Sequence, residues 1–183
     1  GAPAVSPDGK LAIFPVTRFD VEKNRGNADL WLVPVDGSAQ PRQLTFHEGS
    51  DTSPVWSPAG RRVAFLAKRG EGPAQLHLLP LDGGEAQAVT DLPVAPQAPR
   101  YSPDGKRIYF VAETFADLDG DWPAVKKRLA AAKEDKTQAK SGETRAFRYW
   151  DHYLTDGAVP HLFSLELATG AVTDLTPDLD LLW

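Results

Sequence analysis

The stretch Arg145-Ala146-Phe147-Arg148-Tyr149-Trp150-Asp151-His152-Tyr153 gathers more reactive and binding groups than any other part of this chain. Arginine can clamp a carboxylate through paired N–H groups, and Tyr and Trp supply rigid apolar walls with polar tips. Arg145, Arg148, Tyr149, Trp150, Asp151 and His152 are therefore the residues expected to face a substrate. The same string also suits a buried aromatic strand in which Arg148 pairs with Asp151. Neither reading supplies a nucleophile. An elbow of the Gly-x-Ser-x-Gly type places its serine on a strand-to-helix turn, and Gly37-Ser38, Gly49-Ser50 and Ser141-Gly142 all miss that spacing. The chain has no Cys, which removes thiolate catalysis, disulfides and Cys-ligated zinc. No catalytic residue is assigned.

Metal chemistry fares no better. Asp117, Asp119 and Asp121 alternate as in a calcium loop, but that loop wants Gly at its sixth position and Glu at its twelfth. Trp122 and Arg128 stand there instead, so the string reads as an acidic turn ahead of a helix. His47, His77, His152 and His161 form no HExxH pattern and read as edge or core residues. Neither a metal nor a cofactor is expected. With 42% hydrophobic and 25% charged residues the composition is that of a soluble globular domain. The net charge of −5 argues against a nucleic-acid partner, which needs a clustered Lys/Arg face. No apolar run approaches the roughly 18 residues of a membrane span, so no membrane partner is expected. The opening Gly1-Ala2-Pro3 carries no leader pattern and reads as the start of an excised piece. The compartment stays open between bacterial cytoplasm and periplasm, because lack of disulfides suits either.

The elements that must hold these residues repeat along the chain. Ser6-Pro7-Asp8-Gly9-Lys10, Ser57-Pro58-Ala59-Gly60-Arg61 and Ser102-Pro103-Asp104-Gly105-Lys106 recur at intervals of 51 and 45 residues. Proline pre-sets the first central position of a turn, Asp suits the second, and Gly supplies the positive φ that follows. β-rich residues flank each turn, so each is a hairpin. A third strand follows, at Leu30–Pro34, Leu76–Pro80 and His161–Leu165, and a fourth ends at Leu44-Thr45, Val89-Thr90 and Leu175-Thr176. Four short strands per repeat is the pattern of a propeller blade. The fold class is all-β: a partial β-propeller of about three four-stranded antiparallel blades. Blade 1 covers about 2–45, blade 2 about 53–90 and blade 3 about 98–176, with residues 177–183 starting another unit.

The third blade carries a helical insertion over 116–146. Asp121 suits an N-cap and Pro123 the first turn, and Trp122, Val125, Leu129 and Ala132 fall on one helical face. Ser141-Gly142 is expected to end the helix. Its Lys and Arg residues read as a solvated face, with Trp122 and Leu129 packed on the propeller.

Leu44-Thr45-Phe46-His47, Asp51 and Ser53-Pro54-Val55-Trp56-Ser57-Pro58 resemble the TolB-like (PD40) propeller repeat. Val16-Thr17-Arg18-Phe19-Asp20, Glu22-Lys23-Asn24, Asp29–Val33 and Arg148-Tyr149-Trp150-Asp151-His152 resemble the amino-terminal propeller of S9 serine peptidases, the acylaminoacyl- and dipeptidyl-peptidase-like members above all. That resemblance implies a ring of about seven or eight blades capping an α/β-hydrolase domain, with a propeller loop reaching the cavity between them. The chain is then the non-catalytic segment that gates and positions peptides for a hydrolase domain lying outside it. The rival reading is a TolB-like interaction module with no peptidase attached. The implied partners are peptide substrate, by way of the hydrolase domain, and the remaining blades. Three blades leave both ends of the array open. Ile13, Phe14 and Trp31 at one end, and Phe110, Phe163 and Leu165 at the other, are expected to be partly uncovered, with self-association through those faces.

Overall fold

Alternating apolar strands separated by Gly- and Pro-rich turns can only bury both of their faces by stacking as sheets. A computed structural model describes residues 2–22, 24–118, 120–135, 148–149, 152–153 and 157–179. The first sheet holds β1 (Ala4–Val5), β2 (Leu11–Asp20), β3 (Arg25–Pro34) and β4 (Arg42–Gln43). The second holds β5 (Asp51–Trp56), β6 (Arg62–Ala67), β7 (Gln75–Pro80) and β8 (Gln87–Ala88). Next come β9 (Gln97–Tyr101), β10 (Arg107–Phe115), the helix α1 (Trp122–Glu134) and a small hairpin of β11 (Arg148–Tyr149) and β12 (His152–Tyr153). β13 (Ala158–Glu166) and β14 (Val172–Asp174) then complete the third sheet. Each of the three large sheets is a four-stranded antiparallel meander, the third in the order β14-β13-β10-β9. The architecture is an open array of three propeller blades, as the repeat predicts, with α1 inserted between the second and third strands of the last.

The Ser-Pro-Asp-Gly phrase is explained atom by atom. Gly9 N–H donates to Ser6 O (2.9 Å), closing the turn, and Gly9 takes φ +73°. Ser6 Oγ accepts from Leu11 N–H (2.9 Å) and donates to Asp8 Oδ1 (2.6 Å), which also accepts from Lys10 N–H (3.1 Å). Ser102 and Asp104 repeat these bonds with Arg107 and Lys106. The serine hydroxyl, and then the backbone N–H, hold both aspartates below the usual carboxylate range. Blade 2 has Ala59 in the aspartate's place and keeps only the serine part, Arg62 N–H to Ser57 Oγ at 3.1 Å.

The Leu-Thr ending of each fourth strand is equally specific. Thr45, Thr90 and Thr176 each accept, through Oγ1, the backbone N–H of the third strand at Leu30 (2.9 Å), Leu76 (2.9 Å) and Leu162 (3.0 Å). The threonine replaces a ladder bond where the short outer strand runs out, so no buried N–H is orphaned.

Two apolar cores fill the gaps between sheets. Ile13, Leu30 and Leu32 meet Trp56, Val63 and Phe65 between blades 1 and 2. Ala64 and Leu76 meet Ile108, Phe110, Phe163 and Leu165 between blades 2 and 3. This corrects the expectation of uncovered residues at four positions: Ile13, Phe110, Phe163 and Leu165 are buried. Side chains alternate across a sheet, so a choice one residue off selects the opposite face. The faces left open carry Phe14 and Trp31 on blade 1, as expected, and Tyr109, Val111 and Leu162 on blade 3.

Asp121 caps α1 by accepting from Ala124 N–H (3.2 Å), and Pro123 stands in the first turn. Trp122 lies 4.9 Å from the Phe163 ring and Val125 is buried, whereas Ala132 is exposed. Arg128 binds both oxygens of Asp117 (2.6 and 2.9 Å) and lies 4.2 Å over the Phe115 ring. Asp117 and Asp121 thus serve the helix base, and Asp119 lies outside the described residues. The helix ends at Glu134 with Asp135 in an extended conformation, not at Ser141-Gly142.

Thr90→Val leaves the buried Leu76 N–H without an acceptor and should cost about 1–3 kcal/mol in urea unfolding. Thr176→Val removes the same bond at a more exposed site and should cost less. His77 lies tilted beside the Phe65 ring and is buried, and burial pushes its pKa below the usual value. The unfolded chain therefore takes up a proton near pH ~6.5 that the folded one resists. Stability present at neutral pH should fall as pH drops from about 6.5 toward the lower folded value. The stability difference between wild type and His77→Phe should change across that window, with carboxylate contributions cancelling.

Candidate functional site

β1, β5 and β9 are edge strands of their sheets and neighbour one another, so they line one concave groove. A proline stands three residues before the turn serine in each blade: Pro3 just ahead of β1, Pro54 within β5 and Pro99 within β9. Proline has no N–H to leave unpaired, which suits an edge and denies foreign strands a ladder. Immediately before two of them, Ser53 (φ 53°) and Ala98 (φ 47°) adopt left-handed backbone. Both sit where the register slips, between Thr52 and Val55 and opposite the Tyr109–Val111 step. Left-handed backbone at non-glycine residues costs on the order of 1–3 kcal/mol and gathers at functional sites.

The groove encloses a cavity of about 580 Å³. Its walls include Pro15 and Thr17 from blade 1, Ser53 and Trp56 from blade 2, and Arg100 from blade 3. Trp56 Nε1–H donates to Ala4 O at 2.9 Å, tying the inner strands of adjacent blades together. Arg100, the one charged residue lining the cavity among those described, donates from Nη1 to Pro99 O at 2.8 Å. Next to it, burial raises the Tyr101 phenol to about 12, so it stays protonated at neutral pH. The lining has apolar rings, hydroxyls and one guanidinium, but no His, Asp, Glu or Cys to activate a nucleophile.

Of the residues predicted to face substrate, Arg145, Trp150 and Asp151 lie outside the described residues. Arg148, Tyr149 and His152 fall on the β11–β12 hairpin, where Tyr149 pairs with His152 and Arg148 with Tyr153. The predicted segment therefore turns back on itself and brings Tyr149 and His152 together in the backbone register. Sequence reasoning missed the groove, although the in-register prolines at 3, 54 and 99 were a visible signal of it. His161 belongs to the core: Nδ1 lies 2.7 Å from Asp174 Oδ2 and Nε2 donates to Leu179 O at 2.9 Å. Among the described residues no group of three or more His, Cys, Asp or Glu is placed to hold a metal.

The comparisons with known proteins agree with this geometry. The chain is 28% identical over 175 residues to an uncharacterized peptidase, YuxL, of Bacillus subtilis, covering 95% of this chain and 25% of that protein. It is 28% identical over 172 residues to dipeptidyl-peptidase 5 of Porphyromonas gingivalis, covering 93% and 23%. The chain thus spans about a quarter of the length of these relatives. Its fold matches an acylaminoacyl peptidase of Pyrococcus horikoshii with a TM-score of 0.68 at 14% identity, over 94% of this chain and 24% of that one. The family described as TolB beta propeller domain (PD40) matches residues 1–134, and the chain belongs to that family.

Proposed function

We propose that this chain is the non-catalytic propeller segment of an S9-type serine peptidase, admitting and positioning short peptides for a hydrolase domain outside it. The observation that carries this reading is the similarity across 95% of the chain to a protein named as a peptidase, of which it spans only 25%. The groove supports it chemically: it offers binding surface, and its lining lacks the groups that would activate a nucleophile. Inner-strand prolines and the Trp56–Ala4 bond make that surface rigid, as a selective passage requires. In this reading the segment holding Arg145, Arg148, Tyr149, Trp150, Asp151 and His152 faces substrate, and Arg148 binds a peptide carboxylate.

An active-serine fluorophosphonate probe tests the assignment. It should label the parent polypeptide and leave the isolated 183-residue chain unlabelled. An unlabelled, inactive parent would favour the TolB-like interaction module.

Within an active parent, two variants separate the roles. Arg148→Ala should lower kcat/KM roughly 10- to 100-fold for peptides of every length, as expected for one charged hydrogen bond. Ser53→Asn with Ala98→Asn keeps residue types that tolerate left-handed backbone while narrowing the groove. It should slow long peptides and spare dipeptide substrates. Equal slowing of both would remove the gating role.

A further inference from the structure

One repeat position opens onto the groove in all three blades. Ala4, Val55 and Arg100 stand two residues before the turn serines, opposite Ile13, Ala64 and Tyr109 of the second strands, and all three line the cavity. Ala4 and Val55 are only half-buried, although a following blade packs beside each of them. A further blade beyond the third would therefore leave Arg100 open to the groove as well. The position is apolar twice and carries a guanidinium once. Arg100 is exposed, and its Nη1–H donates to Pro99 O at 2.8 Å, which holds the guanidinium against the backbone of the inner strand β9. Among the described residues no carboxylate forms an ion pair with it. The cavity lining contains no Asp or Glu, so no lining residue offsets its charge.

From this placement we infer that Arg100 selects what the groove admits. A peptide that brings a carboxylate to it, from an acidic side chain or from a free C-terminus, is favoured over a neutral or basic one. This names a substrate class for the peptide-positioning role proposed above, and rests on that role. A guanidinium presents a planar fork of N–H donors that matches the two oxygens of a carboxylate, and it stays charged at any physiological pH. A charge set in a concave lining with apolar walls such as Pro54, Val55 and Trp56 acts on an incoming ion more strongly than one on an open surface. A Lys or Arg side chain entering the same groove meets like charge, with no carboxylate in this lining to compensate it.

Peptide binding to the parent polypeptide tests this, followed by fluorescence anisotropy after treatment with a fluorophosphonate probe to block an active serine. Two matched pairs of labelled peptides of one length are compared: Asp against Asn at a central position, and free acid against amide at the C-terminus. Wild type should bind the carboxylate member of at least one pair roughly fivefold more tightly, as expected for one partly exposed ion pair, and added salt should shrink that margin. The pair that shows the margin identifies the source of the carboxylate. Arg100→Gln should abolish it, Arg100→Lys should keep part of it, and Arg100→Glu should turn the preference to the neutral member. Arg100 is exposed, so all three variants should keep wild-type circular dichroism. The proposal is overturned if wild type shows no margin, or if the margin survives in folded Arg100→Gln and Arg100→Glu. A parent that the probe does not label would instead overturn the peptidase assignment, while the binding comparison still reads the part played by Arg100.

Discussion

Each blade of this chain is apolar on both faces, and that constraint governs the rest of the structure. A sheet with one wet face can stand alone on a helix or a second sheet, but a sheet with two dry faces needs a neighbour on each side. Blade 2 has both: Val63 and Phe65 face blade 1, and Ala64 and Leu76 face blade 3. Burial of an apolar side chain is worth about 1.5–3 kcal/mol, so these interleaved positions outweigh any single hydrogen bond in the chain. Small residues such as Ala64 and Ala112 alternate with Phe65 and Phe110, letting sheets approach while the large rings interdigitate.

Stacking two-faced sheets puts strict demands on the connections, because any drift in strand register would turn Phe65 or Phe110 to the wrong side. The serine-centred turns fix the register of the first hairpin in every blade. They also touch across blades: a Cβ on Gly105 would lie 3.4 Å from Pro58 Cδ, and one on Gly60 3.8 Å from Pro7 Cδ. The turn glycines answer to the positive φ within the blade, and Gly60 and Gly105 also lie against the preceding blade's turn proline. At the outer edge, the threonine hydroxyls let the fourth strand be very short without stranding a buried N–H.

The candidate groove lies along the inner edge, where the chain is least regular. The bulges at Ser53 and Ala98 bend β5 and β9, and prolines remove donors that would otherwise face the groove. The same features that keep inner strands from pairing with foreign chains leave a shaped cavity with both polar and apolar lining. The helical insertion acts at a different place, packing Trp122 on the core between blades 2 and 3 and burying Val125. Its charged residues are largely turned to solvent, and Arg128 is occupied by Asp117 and Phe115.

Local chemistry made much of this legible in advance. Ser-Pro-Asp-Gly with flanking β-formers specifies a hairpin through bonds among neighbouring residues, so three repeats sufficed to read three blades. Asp121 and Pro123 marked the start of α1 for the same reason. Its end at Glu134 was not legible, because Asp135 closes the helix where no Gly or Asn stands to mark a stop. Which face of an end blade is covered could not be read, because both faces are apolar and only the handed order of blades decides. Phe110 and Phe163 were therefore misplaced, and Tyr109 and Leu162 were overlooked. The groove was hidden in the same way: Pro3, Pro54 and Pro99 are 45 or more residues apart in the chain. The sequence by itself determined the blades, their turns and the absence of a nucleophile elbow. Only the tertiary structure decided which faces stay open and where a cavity forms, because both depend on how whole sheets stack about a common axis.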